Sequence, residues 1–220
     1  MELQGVIFDI DGTLIDSNDA HAHAWVQALA ENGFQVEFAR VRRMIGMGGD
    51  KLLPQVTGLQ KDKPKGKQIT ERRAQIFKQY YLPMVQPFLH TKELLSRMLD
   101  DGLKLIIATS AQPEELNGML KVAHIEEFFQ EAANAEDAPK SKPDPDVVQA
   151  ALQKSGLQAD QAVMLGDTPY DVEGATRAGV KIIAVRSGGW QDADLKNAIA
   201  IYNDPADLLN NYDTSPIAQK

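Results

Sequence analysis

Residues 6–13 read VIFDIDGT, so that two carboxylates follow directly after a short apolar run. A continuous apolar run of this length is typical of a strand buried on both faces, as in a parallel sheet. Asp9 and Asp11 then stand where the strand ends, and open α/β sheets bind their ligands outside the carboxyl ends of the strands. This stretch therefore predicts a strand of a parallel sheet and, at its end, a polar site.

Two other local structures can contain an Asp-x-Asp-Gly stretch, a hairpin turn and a calcium-binding loop. A hairpin needs an alternating return strand after Gly12, and the sequence there has none. An EF-hand loop needs an oxygen ligand where Ile7 stands and a glutamate further along, and the chain lacks both. We therefore interpret the two aspartates as residues of a functional site.

Further apolar runs repeat the strand pattern along the chain, and helical patterns separate them. The runs cover residues 103–108, 162–165, 181–185 and, more weakly, 198–202. The helical patterns cover residues 92–100, a stretch that starts at Pro113, and residues 144–156 and 171–178. Strands that alternate with helices of this length predict an α/β fold with a parallel sheet.

Residues 17–87 break this alternation. Helical patterns cover residues 20–31, 50–56 and 70–81, and the interval is far longer than a strand crossover needs. We therefore predict a small helical domain of residues 17–87, inserted after the first strand. Residues 1–16 and 88–220 then form the α/β core domain.

The composition narrows the class of protein. The chain has 220 residues, 43% of them hydrophobic, a net charge of −8 and no cysteine. The hydrophobic content suits a soluble globular protein, and the lack of cysteine excludes thiolate catalysis. With this net negative charge, no basic patch dominates the chain that could bind nucleic acid. No apolar run approaches the ~20 residues that cross a membrane, and the first residues lack the features of a signal peptide. We expect a cytoplasmic protein without nucleic-acid or membrane partners; the oligomeric state stays open, with a monomer favoured.

More polar motifs follow the later strands. Thr109 and Ser110 end the second strand, Lys142 lies in the loop SKPDP, and Asp167 and Asp171 follow the third strand. Each motif alone has an ordinary structural explanation, such as a turn, a helix cap or an exposed loop. Their order, and their positions at strand ends and helix starts, together make a much more specific signal.

In this order the motifs resemble the four signature motifs of the haloacid dehalogenase superfamily, and the resemblance covers nearly the whole chain. The helical insert resembles the cap of the phosphoglycolate phosphatase and β-phosphoglucomutase branch. The resemblance implies a Rossmann-like core and an enzyme that hydrolyses a small phosphomonoester with Mg²⁺ through an aspartyl-phosphate intermediate. A small phosphorylated metabolite is then the expected partner.

The resemblance also implies roles for the aspartates. Asp9 is the nucleophile and offers a carboxylate oxygen to Mg²⁺, with the backbone carbonyl of Asp11 and the carboxylate of Asp167 as further ligands. The side chain of Asp11 acts as general acid and then as general base. Mg²⁺ suits such a site because it prefers hard oxygen ligands and neutralises the charge of the phosphoryl group.

The remaining motif residues are implied to hold the substrate. Thr109 and Lys142 bind the transferring phosphoryl oxygens, with Ser110 beside them. Asp171 is a supporting residue that orients Lys142 or the metal site. In the insert, the glycine-rich stretch of residues 46–49 is either a connector or a substrate-specificity loop. On the second interpretation, the substrate-contacting residues are Gly48, Gly49 and Lys51.

Two other functions stay open. A phosphomutase of the β-phosphoglucomutase type shares His21 and Trp25, but it carries an arginine where we align Gly49 and a glutamate where Gly166 stands. These differences favour a phosphatase. A non-catalytic binding or regulatory protein with the same fold would be expected to have lost one of the motif aspartates, and this chain retains them.

Overall fold

The computed structural model describes residues 2–218, which form a parallel sheet with apolar layers on both faces. The strands are β1 (Gly5–Phe8), β2 (Ile15–Asp16), β3 (Gln86–Pro87), β4 (Lys104–Ala108), β5 (Glu131–Ala133), β6 (Ala162–Gly166), β7 (Lys181–Val185) and β8 (Ala200–Tyr202). The α-helices are α1 (Asn18–Glu31), α2 (Phe38–Arg42), α3 (Gly49–Thr57), α4 (Pro64–Ile76), α5 (Thr91–Asp100), α6 (Pro113–Ala123), α7 (Asp146–Ser155), α8 (Pro169–Arg177) and α9 (Pro205–Asn210).

Six strands form the main sheet in the order β5-β4-β1-β6-β7-β8, and each neighbouring pair is parallel. Strand β1 is central, since Gly5 pairs with Lys104 of β4 on one side and with Ala162 of β6 on the other. The chain runs outward from β1 through β4 to β5 and then returns to β6. This reversal of direction leaves a crevice at the carboxyl ends of β4, β1 and β6, where parallel sheets bind ligands.

Apolar side chains cover both faces of the sheet. Successive residues of β1 alternate between the two layers, with Val6 and Phe8 in one and Ile7 in the other. Because both faces are buried, the central strands are apolar without alternation, which is the pattern that predicts them from sequence. The predicted α/β fold with a parallel core is confirmed.

Strand β5 is not among the strands that the sequence predicts. The predicted apolar runs correspond to β1, β4, β6, β7 and β8. Glu131–Ala133 is an edge strand of 3 residues that pairs with β4, and its first residue is exposed. It contains no β-branched residue, so neither its length nor its composition distinguishes it from a loop.

Two helices begin at positions that differ from the predicted ones. Helix α8 begins at Pro169, because Thr168 accepts the N–H of Asp171 at 3.1 Å while the Asp171 carboxylate accepts the N–H of Thr168 at 3.0 Å. Helix α7 begins at Asp146, just after the predicted start.

None of the helices in residues 2–218 combines the length and apolar character that crossing a membrane requires.

Helices α1 to α4 lie between β2 and β3 and form the helical insert that the sequence predicts. Strands β2 and β3 pair antiparallel, with Ile15 opposite Pro87, so both connections to the insert run side by side. Buried Trp25, Leu52 and Ile69 contribute to the apolar interior of the insert. The division into domains after residues 16 and 87 stays a prediction.

The insert contacts the loops at the carboxyl ends of the central strands. Gly48 donates its N–H to the hydroxyl of Ser141 at 3.0 Å. In the opposite direction, the hydroxyl of Tyr170 in α8 of the core donates to the backbone carbonyl of Arg43 in the insert at 2.7 Å. These contacts position the insert over the crevice and enclose a cavity there.

Candidate active site

The residues predicted at the strand ends come together in the crevice. Asp9 follows β1, Thr109 follows β4 and Asp167 follows β6, while Lys142 reaches the same place from the loop before α7. The four side chains are almost completely buried, and so is Asp171 of α8. Parallel strands bring these distant parts of the chain together because their carboxyl ends share one edge.

Lys142 links two of the aspartates. Its ammonium contacts Oδ1 of Asp9 and lies 2.6 Å from Oδ1 of Asp171. Burial disfavours the charged lysine, but attraction by Asp171 and Asp9 outweighs burial and raises the pKa of Lys142 above its usual range. Lys142 is therefore a fixed positive charge in the crevice, and its contact with Asp171 fits the predicted supporting role of that aspartate.

The buried carboxylates outnumber this one ammonium. Burial raises the pKa of Asp9 to about 7, with Lys142 opposing the shift and Asp171 adding to it. Burial, followed by repulsion from Asp171 and Asp9, also raises the pKa of Asp167 well above its ordinary value. Three carboxylates at this spacing repel one another unless a further positive charge is bound.

The carboxylate cluster fits a divalent cation. Asp9, Asp167 and Asp171 each offer an oxygen, and these oxygens lie within 4.8 Å of one another. Both oxygens of Asp167 are held, one by Thr13 at 3.1 Å and the other by Asn18 at 3.0 Å. Oxygen donors and surplus negative charge are what a small hard cation requires.

Glycine keeps the space around Asp167 open. A Cβ added at Gly188, or at Gly12 with its φ of +79°, would overlap the Asp167 carboxylate. The backbone therefore approaches this carboxylate more closely than any residue other than glycine would permit.

The predicted role of the Asp11 backbone carbonyl as a third metal ligand stays a prediction.

The side chain of Asp11 turns away from the carboxylate cluster. Its Oδ1 accepts the hydroxyl of Ser17 at 2.5 Å and lies 2.7 Å from Nε2 of His21. Burial opposes ionisation, but the attraction and hydrogen bonds of His21, with that of Ser17, outweigh burial and lower the pKa of Asp11. The His21 ring stacks on Phe77, with the centroids 4.0 Å apart, so its position beside Asp11 is fixed.

Thr109 and Ser110 supply hydroxyls to the cavity. The hydroxyl of Thr109 accepts the N–H of Ala111 at 3.1 Å, the turn that its sequence position suggests. That contact leaves the hydroxyl proton of Thr109 free to donate to an anion. The buried Oγ of Ser110 has no hydrogen-bond partner in residues 2–218. Both hydroxyls line the same cavity as Asp9 and Lys142.

Two charged residues on this cavity are not among the site residues that the sequence predicts. Arg73 of α4 donates through Nη1 to Oε2 of Glu115 in α6. The cavity itself is small, about 50 Å³, and both residues line it together with Asp9 and Asp11. Charged groups of the insert and of the core therefore meet beside the carboxylate cluster.

Residues 6–185 match the family model for haloacid dehalogenase-like hydrolases. The chain belongs to this family. The family predicted from the motifs is therefore confirmed, and the match runs from Val6 in β1 to Val185 at the end of β7.

Named relatives of this haloacid dehalogenase-like hydrolase are phosphatases. The chain is 30% identical to the phosphoglycolate phosphatase of Rhodospirillum rubrum over 217 residues, which are 93% of this chain and 89% of the relative. It is 26% identical to the pyrophosphatase PpaX of Bacillus cereus over 187 residues, 84% of each chain. A crystal structure of a hydrolase from Pseudomonas syringae shares the fold, with a TM-score of 0.89, 29% identity, and coverage of 96% of this chain and 98% of the other. The protein is thus a phosphatase of this family, and the non-catalytic alternative is not supported.

The predicted cap residues of this hydrolase divide into two groups. Gly48 and Gly49 line the cavity, and a Cβ on Gly49 would press against the Trp25 ring at 3.2 Å. Lys51 points elsewhere, since its ammonium lies 2.5 Å from Oδ2 of Asp144 in the core. Substrate contact by all three stays a prediction, and the ion pair gives Lys51 a structural role besides.

The sequence contained no signal for Arg73 or Glu115. Arg73 follows another arginine in a polar helix, and Glu115 stands in the first turn of α6, where an acidic residue is favourable to the helix dipole. Both therefore have ordinary explanations as helix residues. Only their contact with each other on the wall of the cavity sets them apart.

Proposed function

We propose that this phosphatase hydrolyses a small phosphomonoester with Mg²⁺ through an aspartyl phosphate on Asp9. The observation that carries the proposal is the burial of Asp9, Asp167 and Asp171 around the single ammonium of Lys142. The negative charge that remains matches a divalent cation, and such a charge arrangement suits the transfer of a phosphoryl group. The names of the relatives support the phosphatase class.

In the first step, an oxygen of the Asp9 carboxylate attacks phosphorus and forms the new P–O bond of the aspartyl phosphate. The P–O bond to the substrate alcohol breaks, and Asp11 donates its proton to the departing oxygen. In the free protein His21 and Ser17 favour ionised Asp11. Arrival of a phosphate dianion beside Asp11 raises its pKa by repulsion, which supplies the protonated form that this step needs.

In the second step, ionised Asp11 takes a proton from a water molecule, and the water oxygen attacks phosphorus. The P–O bond to Asp9 breaks, so inorganic phosphate leaves and the Asp9 carboxylate is restored. Lys142, Thr109 and Ser110 bind the phosphoryl oxygens in both steps, where preorganised donors stabilise developing charge. Asp171, 2.6 Å from Lys142, keeps the ammonium in position.

Bound Mg²⁺ would supply charge neutralisation at the phosphoryl oxygens, with Asp9, Asp167 and the carbonyl of Asp11 as its expected ligands. It would also offset the repulsion among the buried carboxylates. We further propose a cytoplasmic location and no nucleic-acid or membrane partner, in keeping with the net charge of −8.

The phosphomutase remains the second candidate. A mutase must hold a second phosphate while it passes the phosphoryl group to a sugar, and a free cation in the cap would serve that need. Gly49 offers no such cation, and Arg73 is already paired with Glu115. These two observations favour transfer of the phosphoryl group to water.

Trapping the covalent intermediate tests the proposal directly. Purified protein is mixed with p-nitrophenyl phosphate and Mg²⁺, quenched in acid within milliseconds, digested and analysed by mass spectrometry. We expect a phosphorylated peptide that contains Asp9 and that loses its phosphate in hydroxylamine, as an acyl phosphate does. Steady hydrolysis with no acid-trapped phosphate on this peptide would contradict the covalent route.

A further inference from the structure

An ion pair between the insert and the core lines the cavity that contains Asp9. The Arg73 and Glu115 side chains are only 16% and 11% exposed. The Arg73 guanidinium also lies over the Trp25 ring, 5.3 Å from its centroid. Because a carboxylate and an aromatic face both hold it, the guanidinium is fixed beside the place where the phosphoryl group must bind.

Polar atoms without a partner are concentrated on the wall of this cavity. Nε of Arg73, Oγ of Ser110 and Nδ1 of His21 are buried and have no hydrogen-bond partner in residues 2–218, and all three residues line the cavity. Buried polar groups are nearly always paired, so a group of unpaired ones at one place indicates that a ligand completes them. The donor on Arg73 and the hydroxyl of Ser110 require polar atoms on that ligand.

The charges indicate what kind of ligand fits. Glu115 neutralises Arg73, its other oxygen lies 4.0 Å from Nδ1 of His21, and Asp11 lines the same wall. A leaving group with a carboxylate or a second phosphate would meet a neutralised cation and two carboxylates. A hydroxyl can instead accept from Nε of Arg73 and donate to Glu115, so both partners are satisfied.

The pair stands between the small cavity and a larger one. Trp25, Gly49, Arg73, Ser110 and Glu115 line both the inner cavity of about 50 Å³ and an adjoining chamber of about 620 Å³. The inner cavity has room for little more than the phosphoryl group. A leaving group bound beside the pair therefore extends toward the chamber, which accommodates a chain of several carbons.

We propose that Arg73 and Glu115 bind the leaving group of the substrate, and that this leaving group is a neutral polyhydroxy compound such as a sugar or a sugar alcohol. The inference rests on the proposed phosphatase function and adds the class of substrate to it. It differs from what the named relatives would suggest, because glycolate and phosphate are anionic leaving groups.

Relative rates on three esters test the inference. The purified protein with Mg²⁺ is assayed on sorbitol 6-phosphate, on phosphoglycolate and on p-nitrophenyl phosphate as a generic ester. We expect kcat/KM for sorbitol 6-phosphate to exceed that for phosphoglycolate by roughly tenfold or more. A wild-type preference for phosphoglycolate would overturn the inference and leave the phosphatase function intact. Failure to hydrolyse any of the three, the aryl ester included, would overturn the proposed function and the inference with it.

Variants separate the ion pair from general effects on structure. Glu115→Gln should lower kcat/KM on sorbitol 6-phosphate by about tenfold, the loss of one charged hydrogen bond, and raise it on phosphoglycolate, because Arg73 is then free to pair with a carboxylate. Arg73→Gln should lower kcat/KM on sorbitol 6-phosphate without raising kcat/KM on phosphoglycolate. Rates on p-nitrophenyl phosphate report on the integrity of the phosphoryl site in both variants.

The matched control is Glu31→Gln. Glu31 pairs with Arg72, the neighbour of Arg73 in α4, on the exposed side of the insert. This change breaks an ion pair of the same type outside the cavity, and we expect it to leave all three rates unchanged. Equal effects of Glu31→Gln and Glu115→Gln on the ratio of rates would mean that the Arg73–Glu115 pair has no specific part in choosing the substrate.

Discussion

Asp171 holds the ammonium of Lys142 at 2.6 Å, while the same ammonium contacts Asp9. One lysine therefore bridges a carboxylate at the end of β1 and another in α8, and all three side chains are buried. A buried charge that loses a partner is costly, so the geometry of this bridge depends on both carboxylates.

The first prediction concerns this bridge. Asp171→Asn removes one charge partner of Lys142 and leaves one acceptor oxygen in place of the two that hold Lys142 and cap α8, so the ammonium shifts toward Asp9. We expect kcat to fall by about tenfold to a hundredfold, while KM changes less. A structural role alone would lower the unfolding temperature without changing kcat in the folded protein, so both are measured. Unchanged kcat would contradict the positioning role of Asp171.

The nucleophile gives the second prediction. Asp9→Asn replaces the attacking oxygen with an amide, which is a poor nucleophile, and should lower kcat by about a thousandfold or more. The fold should persist, since Lys142 keeps Asp171 as its charge partner and the change removes one of the repelling buried carboxylates. Asp160→Asn, at an exposed position, is the control. A folded Asp9→Asn protein with substantial activity would exclude Asp9 as the nucleophile.

The third prediction concerns the metal. Treatment with a chelator should abolish activity, Mg²⁺ should restore it, and Ca²⁺ should do so poorly because its coordination is larger and less regular. Mg²⁺ should also raise the unfolding temperature of the chelated protein, because it binds the folded carboxylate cluster. Asp167→Asn should raise the Mg²⁺ concentration needed for both effects. Chelated protein that neither loses activity nor responds thermally to Mg²⁺ would rule out the site.

The ion pair between Lys51 and Asp144 leads to the fourth prediction. Lys51→Met breaks a contact between α3 of the insert and the loop that carries Lys142. If the pair mainly holds the insert over the crevice, rates on all esters should change by the same factor, and Asp144→Asn, which also breaks the ion pair with Arg177, should again change all rates by one common factor. Lys63→Met, which affects an exposed pair with Asp62, is the control. A change in the ratio of rates between esters would instead show that Lys51 contacts the substrate.

The fifth prediction separates hydrolysis from isomerisation. The enzyme is incubated with β-glucose 1-phosphate and a trace of β-glucose 1,6-bisphosphate, and both glucose 6-phosphate and inorganic phosphate are followed. We expect inorganic phosphate to accumulate with little glucose 6-phosphate, since Gly49 supplies no cation to the cavity and Arg73, which lines it, is paired with Glu115. Rapid isomerisation with little phosphate release would favour the mutase.

Local patterns in the sequence were sufficient to predict the core of the fold, and together with the resemblance to the family's motifs they named the candidate site residues. A buried parallel strand is a continuous apolar run, so β1, β4 and β6 are visible in the sequence, and the polar residues after them lie at one edge by the geometry of the sheet. Asp9, Thr109 and Asp167 could therefore be expected at one place, and the structure has all three buried at the ends of these strands, while their catalytic roles stay predictions. Strand β5 could not, because an edge strand of three residues has no pattern of its own.

What only the tertiary structure decided are the pairs that join remote segments. His21 beside Asp11, Lys51 beside Asp144 and Arg73 beside Glu115 depend on how the insert lies on the core, and the last two pairs are 93 and 42 residues apart in the chain. Hydrophobic periodicity says which face of a helix is buried, but it carries no information about which polar side chains meet across an interface. The sequence by itself thus determined the fold class and predicted a phosphoryl site, whereas only the tertiary structure brings Arg73 of α4 to Glu115 of α6, the pair that we propose contacts the leaving group.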